Sequence, residues 1–465
     1  MAIREYEGIN KLYGPLIVMD YVECFYDELV EIQYGRDILL GKVITSGIDS
    51  TVIQIFGNGT GLNIHKTLVR FTGNPIEMKV SPQILSRIFD GLGRPIDGLG
   101  NVISTQSRDI NGYAINPYIR EYPKNFIETG ISAIDGMLTL IRGQKLPIFS
   151  GNGLNHNKLA VQIAKQAKIK TSEDFSIVFA AIGLKKDDAD FIVKTLSQNN
   201  ISKNMVIFLN LASDPVPERI ATPRIALTVA EYLAFDLNKH VLVILCDMTN
   251  YCEALREISN YRQEVPGRKG FPGYLYSDLA SLYERAGMIK GKSGSVTQIP
   301  IISMPNDDIT HPIPDLTGFI TEGQIVFSRE LHRKDIYPPI NILPSLSRLM
   351  KDGIGNGFTR EDHSDVSGQL FAAYSKVIEI RSLASIIGEE ELSDSDKKYL
   401  VFGKDFEENF INQGFNEYRT FEHTIQLMWK MLSLLDISEL TRIKPEYIKT
   451  YHPSNIQRIL LFKIN

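Results

Sequence analysis

Short apolar runs open the chain: GPLIVM, ELVEIQY, LLGKVI, TVIQIF and TLVRF recur between about Arg4 and Thr72, separated by turns rich in Gly, Asn and Asp. Short strands at such close spacing predict a small antiparallel β-barrel over residues 1–74. From 75 to 355 the rhythm changes. The continuous apolar runs SIVFAAI (176–182), MVIFLNL (205–211) and HVLVILCD (240–247) alternate with helical stretches such as 187–197 and 221–235. Strands without polar interruption are buried on both faces, so this part predicts a central α/β domain with a mostly parallel sheet. Beyond Glu361 the strand signal disappears. LFAAYSKVIEIRSLASIIG and TFEHTIQLMWKMLSLL space apolar residues three and four apart, which predicts a C-terminal α-helical domain over 356–465. SDSD at 393–396 marks a helix start. The glycine-rich DGLGRPIDGLG (90–100) is expected to link the barrel to the centre, and residues after Tyr451 to trail off the last domain.

Composition narrows the function classes. With 465 residues, 43% hydrophobic and 23% charged, the chain has the make-up of a soluble multidomain protein. A net charge of -5 gives no support for general nucleic-acid binding. Cys24, Cys246 and Cys252 form no metal-ligand spacing and suit a reducing compartment. The eight histidines form no ligand cluster, and His311 is expected to be structural, so no metal site is predicted. No apolar run approaches the ~20 residues that span a bilayer, and no signal peptide is evident. These features predict a cytoplasmic protein that meets a membrane only through partners.

The candidate chemistry centres on KLPIFSGNGLNHNKLA (145–160). An apolar strand, a glycine-bearing turn and a helix with Leu159, Ala160, Ile163, Ala164 and Ala167 at helical spacing make the outline of a phosphate-cradling P-loop. A working loop, G-x-x-x-x-G-K-[ST], needs glycines for close backbone approach, a lysine for the phosphates and a hydroxyl for Mg²⁺. Ser150, Asn155, His156 and Asn157 stand at those four positions. A mostly neutral imidazole, a carboxamide in place of the hydroxyl and an added Cβ each weaken the site. Together they predict a degenerate loop, Gly151, Asn152, Gly153, Asn155, His156 and Asn157, with weak nucleotide binding or none and no hydrolysis.

Other residues carry competing readings. Asp247 closes an apolar strand, where a carboxylate can hold a Mg²⁺ shell or cap the following helix; capping is favoured once the lysine and hydroxyl are gone. Arg348 lies amid Ile342, Leu343, Leu346, Leu349 and Met350. A guanidinium there needs an anion, either an internal Asp or Glu or a phosphate in a neighbouring chain. EVPGRKGFPGYLYSDLASLYERAG (264–287) is expected to be an ordered loop and helix. The acidic residues of SVTQIPIISMPNDDITHPIPD (295–315) are expected in a turn rather than at a metal.

Several long segments resemble a known family. They are FIETGISAIDGMLTLIRGQKLPIFSG (126–151), HVLVILCDMTNYCEALREIS (240–259), EVPGRKGFPGYLYSDLASLYERAG (264–287), SVTQIPIISM through INILPSLSRLM (295–350), and TREDH (359–363). Over nearly its full length the chain resembles the B (beta, non-catalytic regulatory) subunit of prokaryotic V/A-type rotary ATPases. That resemblance implies a hexameric head in which B alternates with three catalytic A subunits around a central stalk, with peripheral stalks outside. ATP or ADP with Mg²⁺ would sit at the A–B interface, and turnover would be coupled to H⁺ or Na⁺ transport. It also implies that Arg348, in the S-L-S-R segment, enters the A subunit's nucleotide site as an arginine finger. Catalytic chains of such ATPases carry a glutamate in G-E-R after the P-loop helix; here Gly183 is followed by Leu184. Family B subunits usually read S-G-L-P-H-N, so Asn155 replaces a proline, and Phe358 stands where a lysine is more common. Two alternatives stand beside this reading: a self-contained hexameric P-loop motor such as an RNA translocase or export ATPase, and a pure scaffold with a structural Arg348.

Overall fold

The computed structural model describes residues 3–57, 59, 61–122, 124–169, 174–197 and 203–454. Along Glu28–Tyr34 burial alternates, with Glu28, Val30 and Ile32 inward and Leu29 and Glu31 on the outer face. That period of two makes one apolar side per strand. Seven such strands, from Arg4–Glu7 to Leu68–Pro75, pair antiparallel. They curl around Ile17, Val30, Ile32, Val43, Ile53, Ile55, Val69 and Phe71.

The central sheet runs Ile340–Ser347, Gly323–Phe327, Ile148–Gly151, Ser295–Met304, His240–Cys246, Phe175–Leu184, Met205–Leu211 and Ile88–Asp90 along its main path. Every neighbouring pair is parallel except the first, where Ile340–Ser347 runs antiparallel to Gly323–Phe327. His240–Cys246 is buried at every position, as an apolar strand covered on both faces must be. Alternate residues feed two separate cores. Ile177 and Phe179 pack in one with Leu159 and Ile192; Val178 and Ala180 pack in the other with Leu227 and Tyr251.

The stretch 90–100 differs from the linker its glycines suggest. Its first residue ends Ile88–Asp90, the outermost strand of the central sheet, paired parallel with Met205–Leu211. Asp90 Oδ1 accepts from Leu92 N and Arg94 N, both at 2.9 Å, and Asp97 is paired with Arg87 at 2.5 Å. Acid side chains, not glycine freedom alone, shape the turn.

Past the sheet the described chain is helical: His363–Ile387, Asp394–Asp405, Phe421–Leu432 and Pro445–Tyr451. Ser393 caps Asp394–Asp405 by accepting from Asp396 N at 3.2 Å, the start that SDSD signals. Phe402, Phe406 and Phe410 stack at 5.7 and 5.1 Å inside this part. Its apolar residues join the same core as Phe126 and Ile134, so the helices rest directly on the sheet domain. The chain also stays docked beyond Tyr451: His452 is buried, edge-on to Trp429 at 6.1 Å. The rest of the expected trailing end, 455–465, lies outside the described residues.

Candidate functional site

The strand Ile148–Gly151 brings the chain to the carboxyl end of the parallel strands, and the helix His156–Gln166 carries it away. Gly153 makes the turn at φ 78°, a left-handed conformation that a Cβ would strain. Asn152, Gly153, Asn155, His156 and Asn157 line a cleft of about 830 Å³, with Gly183, Lys185, Asp188, Asp247 and Asn250 on the other walls. Gly151 sits beneath an ion pair instead. A Cβ there would fall 2.0 Å from Asp307 Oδ1 and 2.8 Å from Arg329 Nη2.

The polar groups that a Mg²⁺–nucleotide would need are engaged with one another. His156 Nδ1 lies 3.2 Å from Ser150 Oγ, and Asn157 Oδ1 accepts from Cys246 Sγ at 3.0 Å. Asp247 is a helix cap: it accepts from Thr249 N at 2.8 Å, from Ser303 N at 3.3 Å and from the Ser303 hydroxyl. Lys158, one residue past the loop, is held 4.4 Å from the Tyr337 ring centroid and 5.3 Å from that of Phe415, an attraction of cation for ring face. Leu184 is buried in the core and carries no group to orient water. These residues do not fit a phosphate-bound Mg²⁺, although the cleft keeps the size of a ligand site.

One functional-looking residue escaped the sequence reading. Arg329 donates to both carboxylate oxygens of Asp307, at 2.6 and 2.8 Å, and to Asn152 O at 2.9 Å, pinning the turn from outside. Asp307 comes from the acidic stretch 295–315, so its turn placement holds, but the partner lies 22 residues away. His311 is structural: it caps Pro312–Ile320 and stands edge-on to Phe271 at 5.6 Å. Burial pulls its pKa down. In 264–287 the helix Leu275–Tyr283 forms as expected, and Arg285 is buried against Glu231, both contacts at 2.6 Å.

Arg348 lies elsewhere. It follows the edge strand Ile340–Ser347, in which the pairing register shifts between Asn341 and Leu346; from Ser345 on burial alternates, with Ser345 and Ser347 inward and Leu346 and Arg348 outward. The apolar neighbours therefore do not bury the guanidinium, and no anion inside the fold is required to satisfy it. Among the described residues the Arg348 side chain makes no hydrogen bond or ion pair. The register measures how far it stands from the cleft. Ser347 pairs with Gly323, while Phe149 pairs with Val326. Arg348 is thus level with Glu322 and Gly151 with Ser328, about 20 Å apart along the strands at ~3.3 Å per residue. No single side chain spans that distance.

The three regions match three parts of one family. Residues 9–73 match the ATP synthase alpha/beta family beta-barrel domain, 130–347 its nucleotide-binding domain, and 352–452 the C-terminal domain of V and A type ATP synthase. The V-type ATP synthase beta chain of Thermotoga neapolitana is 63% identical over 457 residues, 98% of this chain and 99% of its own length. The chain belongs to the V/A-type ATP synthase B (beta) subunit family. Another member, the A-type ATP synthase B subunit of Aeropyrum pernix, is 55% identical over 97% of this chain and 98% of its own. The solved ATP synthase subunit NeqB from Nanoarcheaum equitans superposes with a TM-score of 0.73 at 40% identity, covering 90% of this chain and 98% of that one. Among the described residues of this B-family chain, no helix is long and apolar enough to cross a membrane.

Proposed function

We propose that this chain is the non-catalytic subunit of a V/A-type rotary ATP synthase and lends Arg348 to a catalytic A subunit. The two kinds of subunit alternate in the head around the central stalk, with peripheral stalks outside. ATP or ADP with Mg²⁺ is held by the A subunit at the shared interface. Arg348 approaches from the B side and stabilises charge on the phosphoryl group in transfer. Rotation then couples synthesis or hydrolysis to passage of H⁺ or Na⁺ through the membrane sector.

One observation carries the reading: an exposed guanidinium without an internal partner among the described residues stands at the end of an edge strand, about 20 Å along the strands from the chain's own cleft. With no anion bound to it among the described residues, the guanidinium keeps its full fork of donors for a carboxylate- or phosphate-like group outside the fold. Leu346, 51% exposed on the same strand, adds an apolar contact suited to a subunit interface. The test is phosphate release by the assembled head, wild type against Arg348→Ala. Loss of turnover with intact assembly supports the reading. A rate within tenfold of wild type makes the chain a scaffold, and turnover by the lone chain makes it a self-contained motor.

A further inference from the structure

The backbone under Arg348 is held by buried groups from a distant part of the chain. The Arg348 peptide N–H donates to Glu322 O at 2.9 Å. Gln144, fully buried, spans the joint: its Nε2 donates to Glu322 O at 3.1 Å and to Ser347 Oγ at 3.0 Å. Its Oε1 accepts from Ile141 N at 2.9 Å, so the amide orientation is set at both ends. Ser347 Oγ donates onward to Thr139 O at 3.0 Å. Glu322 is held in turn by Lys145, whose N–H reaches Oε2 at 2.8 Å and whose Nζ reaches Oε1 at 2.8 Å. Gly323 lets the edge strand come this close, since a Cβ there would fall 2.0 Å from Leu346 O.

We infer that Gln144 and Glu322 are positioning residues for Arg348, fixing the origin from which its guanidinium reaches a phosphate in the neighbouring subunit. This rests on the reading of Arg348 as a residue lent in trans. The physical need is plain. A long side chain that acts outside its own fold multiplies any tilt of its Cα, and a misplacement of about 1 Å can cost on the order of a hundredfold in rate. Buried hydrogen bonds on both sides of the peptide remove that freedom before the partner is met. With Glu322 neutralised, the buried Lys145 ammonium keeps a second carboxylate, Glu284, at 2.8 Å, so the charge is not left unpaired.

The experiment uses the assembled head with Gln144→Met, which fills the same space without donors, and Glu322→Gln, which keeps an acceptor for the Lys145 N–H. The expected result for Gln144→Met is a fall in kcat of about tenfold or more with KM within about twofold. Glu322→Gln falls less, and both heads assemble and melt within a few degrees of wild type. Each change is then repeated in the Arg348→Ala head. A positioning residue has nothing left to position there, so the double variants turn over no more slowly than Arg348→Ala alone. Unchanged kcat in both single variants overturns the inference. So does a further fall in the double variants, or a loss of activity that tracks a lowered Tm. If Arg348→Ala itself turns over normally, the underlying reading of the arginine has failed instead, and the two failures are told apart.

Discussion

The two ends of the central sheet make opposite use of polar side chains. At the carboxyl ends of the parallel strands a ligand-sized cleft survives, yet His156, Asn157 and Asp247 are each tied to a neighbour in the same fold. At the other end, beside Gly323, Arg348 has its backbone held and its guanidinium left without a partner among the described residues. The difference teaches that capacity for chemistry does not follow cavity volume. It follows the donors and charges that the fold leaves uncommitted, because a group already satisfied gains little from a ligand.

The largest expected effect tests the uncommitted end. Arg348→Ala should lower turnover of the assembled head by roughly 10³–10⁵, read as phosphate release at saturating ATP; a near-normal rate would erase the contrast between the two ends. The next concerns the loop after Arg348. Gly355 N donates to Thr359 Oγ1 at 2.7 Å, Thr359 Oγ1 lies 3.1 Å from His363 Nδ1, and His363 Nε2 lies 2.9 Å from Gly136 O. This network assigns the neutral ring with its proton on Nε2. Burial pulls the His363 pKa down to about 4, below an unfolded value near ~6.5, so the stabilisation is whole above ~6.5 and lost as pH falls toward 4. The loss should be roughly 3 kcal/mol, measured by denaturant unfolding of the full chain at steps across that window. His363→Gln should flatten the slope, and an unchanged slope would count against the network.

A smaller effect probes the committed end. His156→Lys combined with Asn157→Thr should tighten ATP binding to the full chain by roughly tenfold to a hundredfold, the worth of one or two charge-assisted hydrogen bonds. Turnover by that chain should stay at background, since Leu184 offers no carboxylate; measurable hydrolysis would show that the cleft is closer to a working site than its hydrogen bonds indicate. The smallest is Leu346→Ser. It should weaken assembly by about tenfold through lost apolar contact, seen by analytical ultracentrifugation, while the melting of the separate chain stays put. Unaltered assembly would take the edge strand out of the interface.

How much of this was legible beforehand depended on range along the chain. Periodicities of two and of three to four residues revealed the sheet-forming, α/β and helical regions, because side-chain direction repeats locally. The four departures from a working P-loop were plain for the same reason: they lie within eight residues of one another, from Ser150 to Asn157. Asp247 as a cap and Ser393 as a helix start also follow from neighbouring positions. What the order of residues left open was which polar groups are satisfied. The apolar letters around Arg348 suggested burial, whereas strand alternation and an edge position expose it. The clamp of Arg329 on Asp307 closes over 22 residues and that of Gln144 on Glu322 over 178. The residue types, and so the chemistry each could offer, were determined by the sequence. Which of those groups face one another, and which is left without a partner among the described residues, was decided by the tertiary structure, because hydrogen bonding and burial are properties of pairs brought together only when the sheet forms.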